Sequence, residues 1–108
     1  MKWYDKLYIG DSIAKRADRI KWKINHNAGT IGIYVIAFAS NPANLLDIIP
    51  AHQLMQKSYP TKNMRIIGLA GDYYEALELV SNIVDEVYQA TGDVKVRQYL
   101  EMNRRSAV

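Results

Sequence analysis

The serine of a Gly10-Asp11-Ser12 turn is the side chain in this sequence best suited to act as a nucleophile. Isoleucines flank the turn at positions 9 and 13, so a strand can end at the turn and a helix can begin after it. A serine hydroxyl becomes a useful nucleophile only when an adjacent base accepts its proton. A hydrolytic site would therefore need a base close to Ser12.

The five residues 9–13 resemble the nucleophile block of the GDSL-type (SGNH) hydrolases. The resemblance implies that Ser12 is the nucleophile and that Gly10 forms part of the oxyanion site. It also implies a later Asp-x-x-His pair, whereas Asp47 and His52 are five residues apart and no histidine follows them. Since serine and aspartate favour helix N-caps, we predict that the turn caps the first helix of a non-enzymatic protein. A hydrolase is the second alternative function.

A second group of side chains shares one face of a helix predicted at residues 12–26. Isoleucines form the apolar stripe of this helix, and at about 100° per residue Trp22 lies about 180° away from Ile13. The residues on this opposite face are Lys15, Arg19, Trp22 and His26. An indole among cations is typical of a protein-binding hot spot or of a surface that stacks on nucleic-acid bases.

We predict that these four residues bind a protein partner or a second copy of the chain, so that the protein is an interaction or regulatory module. A nucleic-acid-binding accessory protein that uses the basic helix 12–26 is the first alternative, and it needs further cations in the same patch. The arginines that would supply them are Arg97, Arg104 and Arg105. In a purely structural interpretation, Trp22 packs beneath the amino-terminal segment near Trp3.

Charge is distributed unevenly along the chain. Residues 1–27 contain seven Lys or Arg against three Asp, whereas residues 61–93 contain two Lys or Arg against six Asp or Glu. A helix predicted at residues 73–91 turns four carboxylates away from its apolar arc. They belong to Glu75, Glu78, Asp85 and Glu86. A basic and an acidic helix on one small domain favour charge-steered pairing between chains.

The composition predicts one folded domain over residues 1–108. The chain is 49% hydrophobic and 23% charged, and its length is close to that of a typical single domain. The absence of cysteine excludes disulfides and thiolate metal sites, and we expect a cytoplasmic protein without a metal or cofactor. The longest apolar run, residues 31–39, is about half the length that a membrane-spanning helix needs.

The apolar patterns predict a small α/β domain of two or three layers with a short, mostly parallel sheet. Strands are predicted at about 31–39 and 64–70, and residues 6–9 are a candidate for a third. Helices are predicted at about 12–26, 42–57 and 73–91, and the second of these should break near Pro50. Residues 94–102 fit a strand or a helix, and we favour the helix.

The predicted parallel strands suggest two further features. Side chains beyond their carboxyl ends would line a crevice of the kind in which open parallel sheets bind ligands. These side chains belong to Ser40, Asn41, Asn44, Gly71, Asp72 and Tyr73. Two buried strands also leave apolar sheet edges uncovered, which is a liability in a monomer. A second chain that covers such an edge would make the protein a homodimer.

Overall fold

The computed structural model describes residues 1–28, 30–39, 44–56 and 58–106, with side chains as far as Met102. It shows a four-stranded mixed sheet with three α-helices and two short 3-10 helices. In chain order the elements are β1 (Lys2–Ile9), a 3-10 helix (Asp11–Arg16), α1 (Ala17–Asn25), β2 (Tyr34–Phe38), β3 (Leu46–Pro50), a 3-10 helix (Ala51–Met55), β4 (Arg65–Ala70), α2 (Tyr73–Thr91) and α3 (Val96–Ser106).

The sheet has the strand order β1-β4-β2-β3. The outer strand β1 is parallel to β4, with Ile9 opposite Leu69. The other two pairings, β2 with β4 and β2 with β3, are antiparallel, and Val35 lies between Leu69 and Ile49. The prediction of a mostly parallel sheet is therefore wrong. Residues 6–9 lie at the end of β1, which begins earlier than the sequence pattern indicates.

The prediction of a helix at residues 42–57 is also wrong. Residues 46–50 form β3 and residues 51–55 form a 3-10 helix, while positions 42, 43 and 57 lie outside the described residues. Ile48 and Ile49 have β-branched side chains that suit a strand, and they pair with β2. Pro50 is tolerated because β3 is an edge strand, where a missing amide hydrogen costs no pairing on the open side.

Helices cover both faces of the sheet, so the domain has three layers. On one face, Ile20 and Ile24 of α1 pack in a buried cluster with Val35 of β2. On the other face, Ile83 of α2 and Leu100 of α3 pack in a second buried cluster. Consecutive residues of β2 contribute to opposite clusters, as the alternation of side chains along a strand requires. The homodimer was predicted because a sheet of two buried strands would leave its apolar edges uncovered. The sheet has four strands with helices on both faces, so this argument no longer applies, and self-association stays a prediction.

The remaining predicted helices have different outcomes. The helix at 73–91 is confirmed with the same bounds, and the helix favoured for residues 94–102 corresponds to α3. The helix at 12–26 is divided, because a 3-10 segment precedes the α-helical turns that begin at Ala17. In the described part of the chain, none of the helices combines the length and the apolar character needed to span a membrane.

The predicted ligand crevice does not form. Because β2 and β4 are antiparallel, the carboxyl end of one strand lies beside the amino end of the other. This arrangement separates Asn44 from Gly71 and Asp72. Positions 40 and 41 of the predicted crevice lie outside the described residues. The neighbouring strands that do end together are β1 and β4, so the Gly10-Asp11-Ser12 turn lies beside the turn at Gly71.

Candidate functional site

The outward side of α1 and of the 3-10 helix before it carries the four predicted contact residues. Ile13, Ile20 and Ile24 are buried against the sheet, which turns the opposite side of these helices to solvent. Lys15, Arg19, Trp22 and His26 are all exposed, and we call them the α1 surface. The indole of Trp22 is 57% exposed, whereas tryptophan is usually highly buried.

The imidazole of His26 stacks on the indole of Trp22. The ring centroids are 4.1 Å apart and the planes are inclined by 18°, a contact allowed by the i,i+4 spacing on a helix. His26 Nδ1 lies 2.7 Å from the carbonyl oxygen of Trp22, and since a carbonyl only accepts, Nδ1 carries the hydrogen and donates it. Two contacts therefore fix the histidine, and Nε2 has no hydrogen-bond partner among the described residues.

The structural interpretation placed Trp22 beneath the amino-terminal segment, but Trp22 does not pack there. The tryptophan that binds α1 from that segment is Trp3, whose Nε1 donates a 2.8 Å hydrogen bond to Oδ1 of Asn25. The ammonium of Lys21 lies 5.3 Å from the centre of the Trp3 ring. Trp3 therefore anchors β1 to the helix, and Trp22 points away from this contact into solvent.

The cations of the α1 surface have no ion-pair partner among the residues whose side chains are described. Across residues 1–28, 30–39, 44–56 and 58–102, ion pairs form between Arg65 and Glu101 and between Lys95 and Asp93. Neither Lys15 nor Arg19 therefore has a carboxylate at ion-pair distance within this part of the chain. The α1 surface combines two unpaired positive charges with a large exposed aromatic ring.

Ser12 has a structural partner on a distant part of the chain. Its hydroxyl donates a 2.8 Å hydrogen bond to Oε1 of Glu75, and its amide donates to Oε2 at 3.2 Å. The amide of Gly71 donates a 2.7 Å hydrogen bond to the same carboxylate. Glu75 thus joins the turn after β1 to the turn after β4.

The two glycines at this junction leave room for the carboxylate. A side chain at Gly10 would overlap the Glu75 carboxylate, and a side chain at Gly71 would overlap the hydroxyl of Ser12. Gly10 is also the residue that precedes the 3-10 helix, where no side-chain cap forms. The prediction that the turn caps its own helix is therefore wrong, because Ser12 donates to α2 instead.

The chemistry of this junction differs from that implied by the hydrolase resemblance. The acceptor of the Ser12 hydroxyl is a carboxylate, whereas a hydrolytic serine donates to an imidazole. Hydrogen bonds from the amide of Gly71 and from Ser12 lower the pKa of Glu75 below its ordinary value, although desolvation opposes them. A lower pKa makes Glu75 a weaker base, and its oxygens already accept three hydrogen bonds.

The capping box predicted at the start of α2 is present in an altered form. The amide of Glu75 donates a 2.7 Å hydrogen bond to Oδ1 of Asp72, which is the N-cap residue. The glutamate side chain, however, binds Gly71 and Ser12. Asp72 and Glu75 are therefore detectable in the sequence as helix-capping residues, whereas the contact with Ser12 depends on the pairing of β1 with β4.

Three of the four residues of the acidic face predicted for α2 are exposed, and two of the four accept hydrogen bonds. Glu75 turns toward Ser12, and Glu86 accepts hydrogen bonds of 2.9 and 3.1 Å from the hydroxyl of Tyr8. Burial and this contact with Glu86 raise the pKa of the Tyr8 phenol. Glu78 and Asp85 are exposed, as the helix pattern predicts.

No set of three histidine or carboxylate side chains among the described residues is arranged to hold a metal ion. The chain matches no protein-family model, no curated protein and no solved structure. A functional conclusion for this protein therefore depends on the geometry of its own surface.

Proposed function

We propose that the protein is an interaction module that binds an acidic segment of a partner protein through the α1 surface. The observation that carries this proposal is the exposed indole of Trp22, which is stacked on His26 and accompanied by the unpaired cations Lys15 and Arg19. Carboxylates of the partner pair with the two cations, and an apolar side chain of the partner packs on the open face of the indole.

Tryptophan and arginine are among the residues that contribute most to binding energy at protein interfaces. The stack with His26 supports the proposal further, because a side chain that is held in place loses less entropy when it binds. Unpaired cations attract an acidic segment before contact and select against a basic one.

The positions of the other cations favour a protein over a nucleic acid. The nucleic-acid alternative requires Arg97 in the same patch as the basic helix, but α1 packs on one face of the sheet and α3 on the opposite face. Positions 104 and 105 also belong to α3. Contacts to a phosphate backbone are more effective when the cations share one surface.

The test is a selection of random 12-residue peptides on the immobilised protein, followed by measurement of the affinity of the selected peptides. We expect peptides rich in Asp and Glu that contain at least one aromatic or aliphatic residue. Trp22→Ala and Arg19→Glu should each weaken binding by about tenfold or more, the effect of losing a hot-spot side chain.

Two control variants match these changes at other places. Tyr74→Ala removes an aromatic ring that is 81% exposed, and Lys6→Glu makes the same change of charge on the exposed surface of β1. Both should bind the selected peptides like the unaltered protein. Peptides that bind all variants equally would overturn the proposal.

The same variants distinguish other occupants of the α1 surface. Retention of random DNA or RNA that falls with salt and is lost in Arg19→Glu would favour the nucleic-acid alternative over an acidic peptide. Sedimentation of the unaltered protein at rising concentration measures self-association. Self-association abolished by Trp22→Ala, with no binding of acidic peptides, would make a second copy the occupant and contradict the proposal.

A further inference from the structure

An open surface cavity of about 870 Å³ lies on the opposite side of the molecule from the α1 surface, between Leu45 and the beginning of α3. Its volume is within the range of sites that bind small molecules. Its lining includes the exposed apolar residues Leu45 and Val94 and the polar residues Lys95, Arg97 and Gln98. The cavity therefore offers both apolar walls and hydrogen-bond donors.

Arg97 gives this cavity an oriented positive charge. Its guanidinium lies 5.0 Å from the centre of the Phe38 ring, a distance at which a cation is attracted to an aromatic face. Phe38 is 7% exposed and belongs to the buried cluster beneath α3. The ring is thus a fixed platform that restrains the guanidinium at the wall of the cavity.

The carboxylate of the cavity does not neutralise Arg97. Glu101 accepts a 2.9 Å hydrogen bond from Arg65 and forms an ion pair with it. Across the residues whose side chains are described, Arg97 has no carboxylate at ion-pair distance. Lys95 adds a second cation, and its nearest carboxylate oxygen, on Asp93, is 4.0 Å away.

We propose that this cavity binds a small amphipathic anion, in which a carboxylate, sulfonate or phosphate group is attached to an apolar body. The anionic group pairs with Arg97, for which a planar guanidinium provides two parallel donors. The apolar body lies against Leu45 and Val94. This site is independent of the α1 surface, because the two lie on opposite faces of the sheet.

The experiment is a titration of the isotopically labelled protein followed by NMR, with three probes. Naphthalene-1-sulfonate has both required groups, 1-naphthalenemethanol has the same rings without charge, and inorganic sulfate has the charge without the rings. We expect saturable binding of naphthalene-1-sulfonate, with the largest shifts at the amides of Leu45, Val96 and Gln98. The alcohol and sulfate should each bind about tenfold more weakly or not at all.

Arg97→Gln should weaken binding of naphthalene-1-sulfonate by about tenfold or more, the usual effect of losing a charged hydrogen bond. Arg16→Gln, which removes an exposed arginine on the opposite face but outside the α1 surface, is the matched control and should leave binding unchanged. Leu45→Glu is a second test that keeps Arg97, because it adds a carboxylate to the wall of the cavity and should also abolish binding.

Equal binding of the sulfonate and the alcohol would overturn the proposal, as would equal effects of Arg97→Gln and Arg16→Gln. Shifts confined to residues outside the cavity would overturn it as well. The acidic peptides selected on the α1 surface provide a separate readout, since Arg97→Gln should leave their affinity unchanged. A failure of the cavity proposal can therefore be distinguished from a failure of the proposal for the α1 surface.

Discussion

The hydroxyl of Ser12 donates a 2.8 Å hydrogen bond to the carboxylate of Glu75, which lies 63 residues further along the chain. The contact exists because β1 and β4 are parallel neighbours, so the turns that follow them meet at one edge of the sheet. The helices after these turns pack on opposite faces. A single carboxylate therefore links the two turns, although the helices that follow them pack in different layers of the domain.

Replacement of Glu75 by glutamine should lower the free energy of unfolding by about 1 to 2 kcal/mol, because hydrogen bonds to a charged acceptor contribute more than neutral ones. Glutamine keeps the shape of the side chain, but its amide nitrogen replaces one of the two carboxylate oxygens that accept hydrogen bonds from Ser12. Urea denaturation followed by circular dichroism measures the change.

Glu78→Gln is the matched control for this substitution. Glu78 lies one turn further along α2 and is exposed, so removal of its charge should alter the free energy of unfolding by less than about 0.5 kcal/mol. Equal stabilities of the two variants would show that the junction between the turns contributes nothing to folding.

The stability of the protein should also depend on pH through Glu75. Its pKa is lowered in the folded protein from an ordinary value of 4.5, so the unfolded chain takes up a proton at higher pH than the folded chain. The stabilisation is therefore complete above pH 4.5 and is lost as the pH falls through the folded pKa. Urea midpoints measured from about pH 7 down to about pH 3 test this dependence.

Glu75→Gln provides the comparison, because glutamine does not titrate. The difference in stability between this variant and the unaltered protein should be largest at neutral pH and should shrink in acid. A constant difference across the same range would contradict the assignment of the pKa shift to the junction.

A methyl group at Gly10 should disrupt the same contact from the other side. In Gly10→Ala the new carbon would overlap the Glu75 carboxylate, and the flexible glutamate must move away and lose its hydrogen bonds. The variant should therefore be destabilised by about 1 to 3 kcal/mol, as is typical of overpacking. A double-mutant cycle with Glu75→Gln should show subadditive effects, with a coupling of about 1 kcal/mol.

The cycle of Gly10→Ala with Glu78→Gln serves as the additive reference. Glu78 is exposed, and the three atoms nearest to a side chain at Gly10 all belong to Glu75, so the effects of these two substitutions on the free energy of unfolding should sum. Additive behaviour in both cycles would mean that Gly10 is required for a reason other than the Glu75 carboxylate.

Local patterns made part of this fold predictable from the sequence. The bounds of α2 follow from the Asp72 cap, a sustained apolar arc and Gly92, which ends the helix with a φ of 75°. The exposure of Trp22 follows from its angle to the isoleucine stripe. These features depend on residues within a few turns of one another, so no knowledge of strand pairing is needed.

Features that depend on strand pairing could not be predicted in the same way. The apolar residues around Leu46, Ile48 and Ile49 fit both a helix and an edge strand, and pairing with β2 decides between them. The contact of Ser12 with Glu75 requires β1 to lie beside β4. The sequence pattern leaves the order and direction of the strands undetermined. The prediction that Ser12 caps its own helix was therefore wrong.

Fluorescence quenching tests the electrostatic character of the α1 surface. The chain has two tryptophans, and in Trp3→Phe the emission comes from Trp22 alone. Because Trp22 lies near the cations Lys15 and Arg19, the ratio of iodide to caesium quenching should be higher than for free N-acetyltryptophanamide, and added salt should reduce the difference. The neutral quencher acrylamide controls for exposure of the ring.

Arg19→Gln and Lys15→Gln in the Trp3→Phe protein should each bring the iodide and caesium constants closer together, while acrylamide quenching stays unchanged. Trp22→Phe should remove most of the emission that iodide quenches, since Trp3 is partly covered by its contact with α1. An iodide-to-caesium ratio no higher than that of free N-acetyltryptophanamide would show that the surface is not electropositive.

The side chain of Thr30 is buried, and its hydroxyl has no hydrogen-bond partner among the described residues. The residue is 5% exposed, and Oγ1 has no partner in the described parts of the chain. An unsatisfied hydroxyl destabilises the folded state, so Thr30→Val should raise the free energy of unfolding by about 1 kcal/mol. Thr30→Ser, which keeps the hydroxyl and removes a methyl group, should lower it by about 1 kcal/mol. Urea denaturation of both variants distinguishes the two effects, and destabilisation by valine would mean that Oγ1 donates to an acceptor in the folded protein.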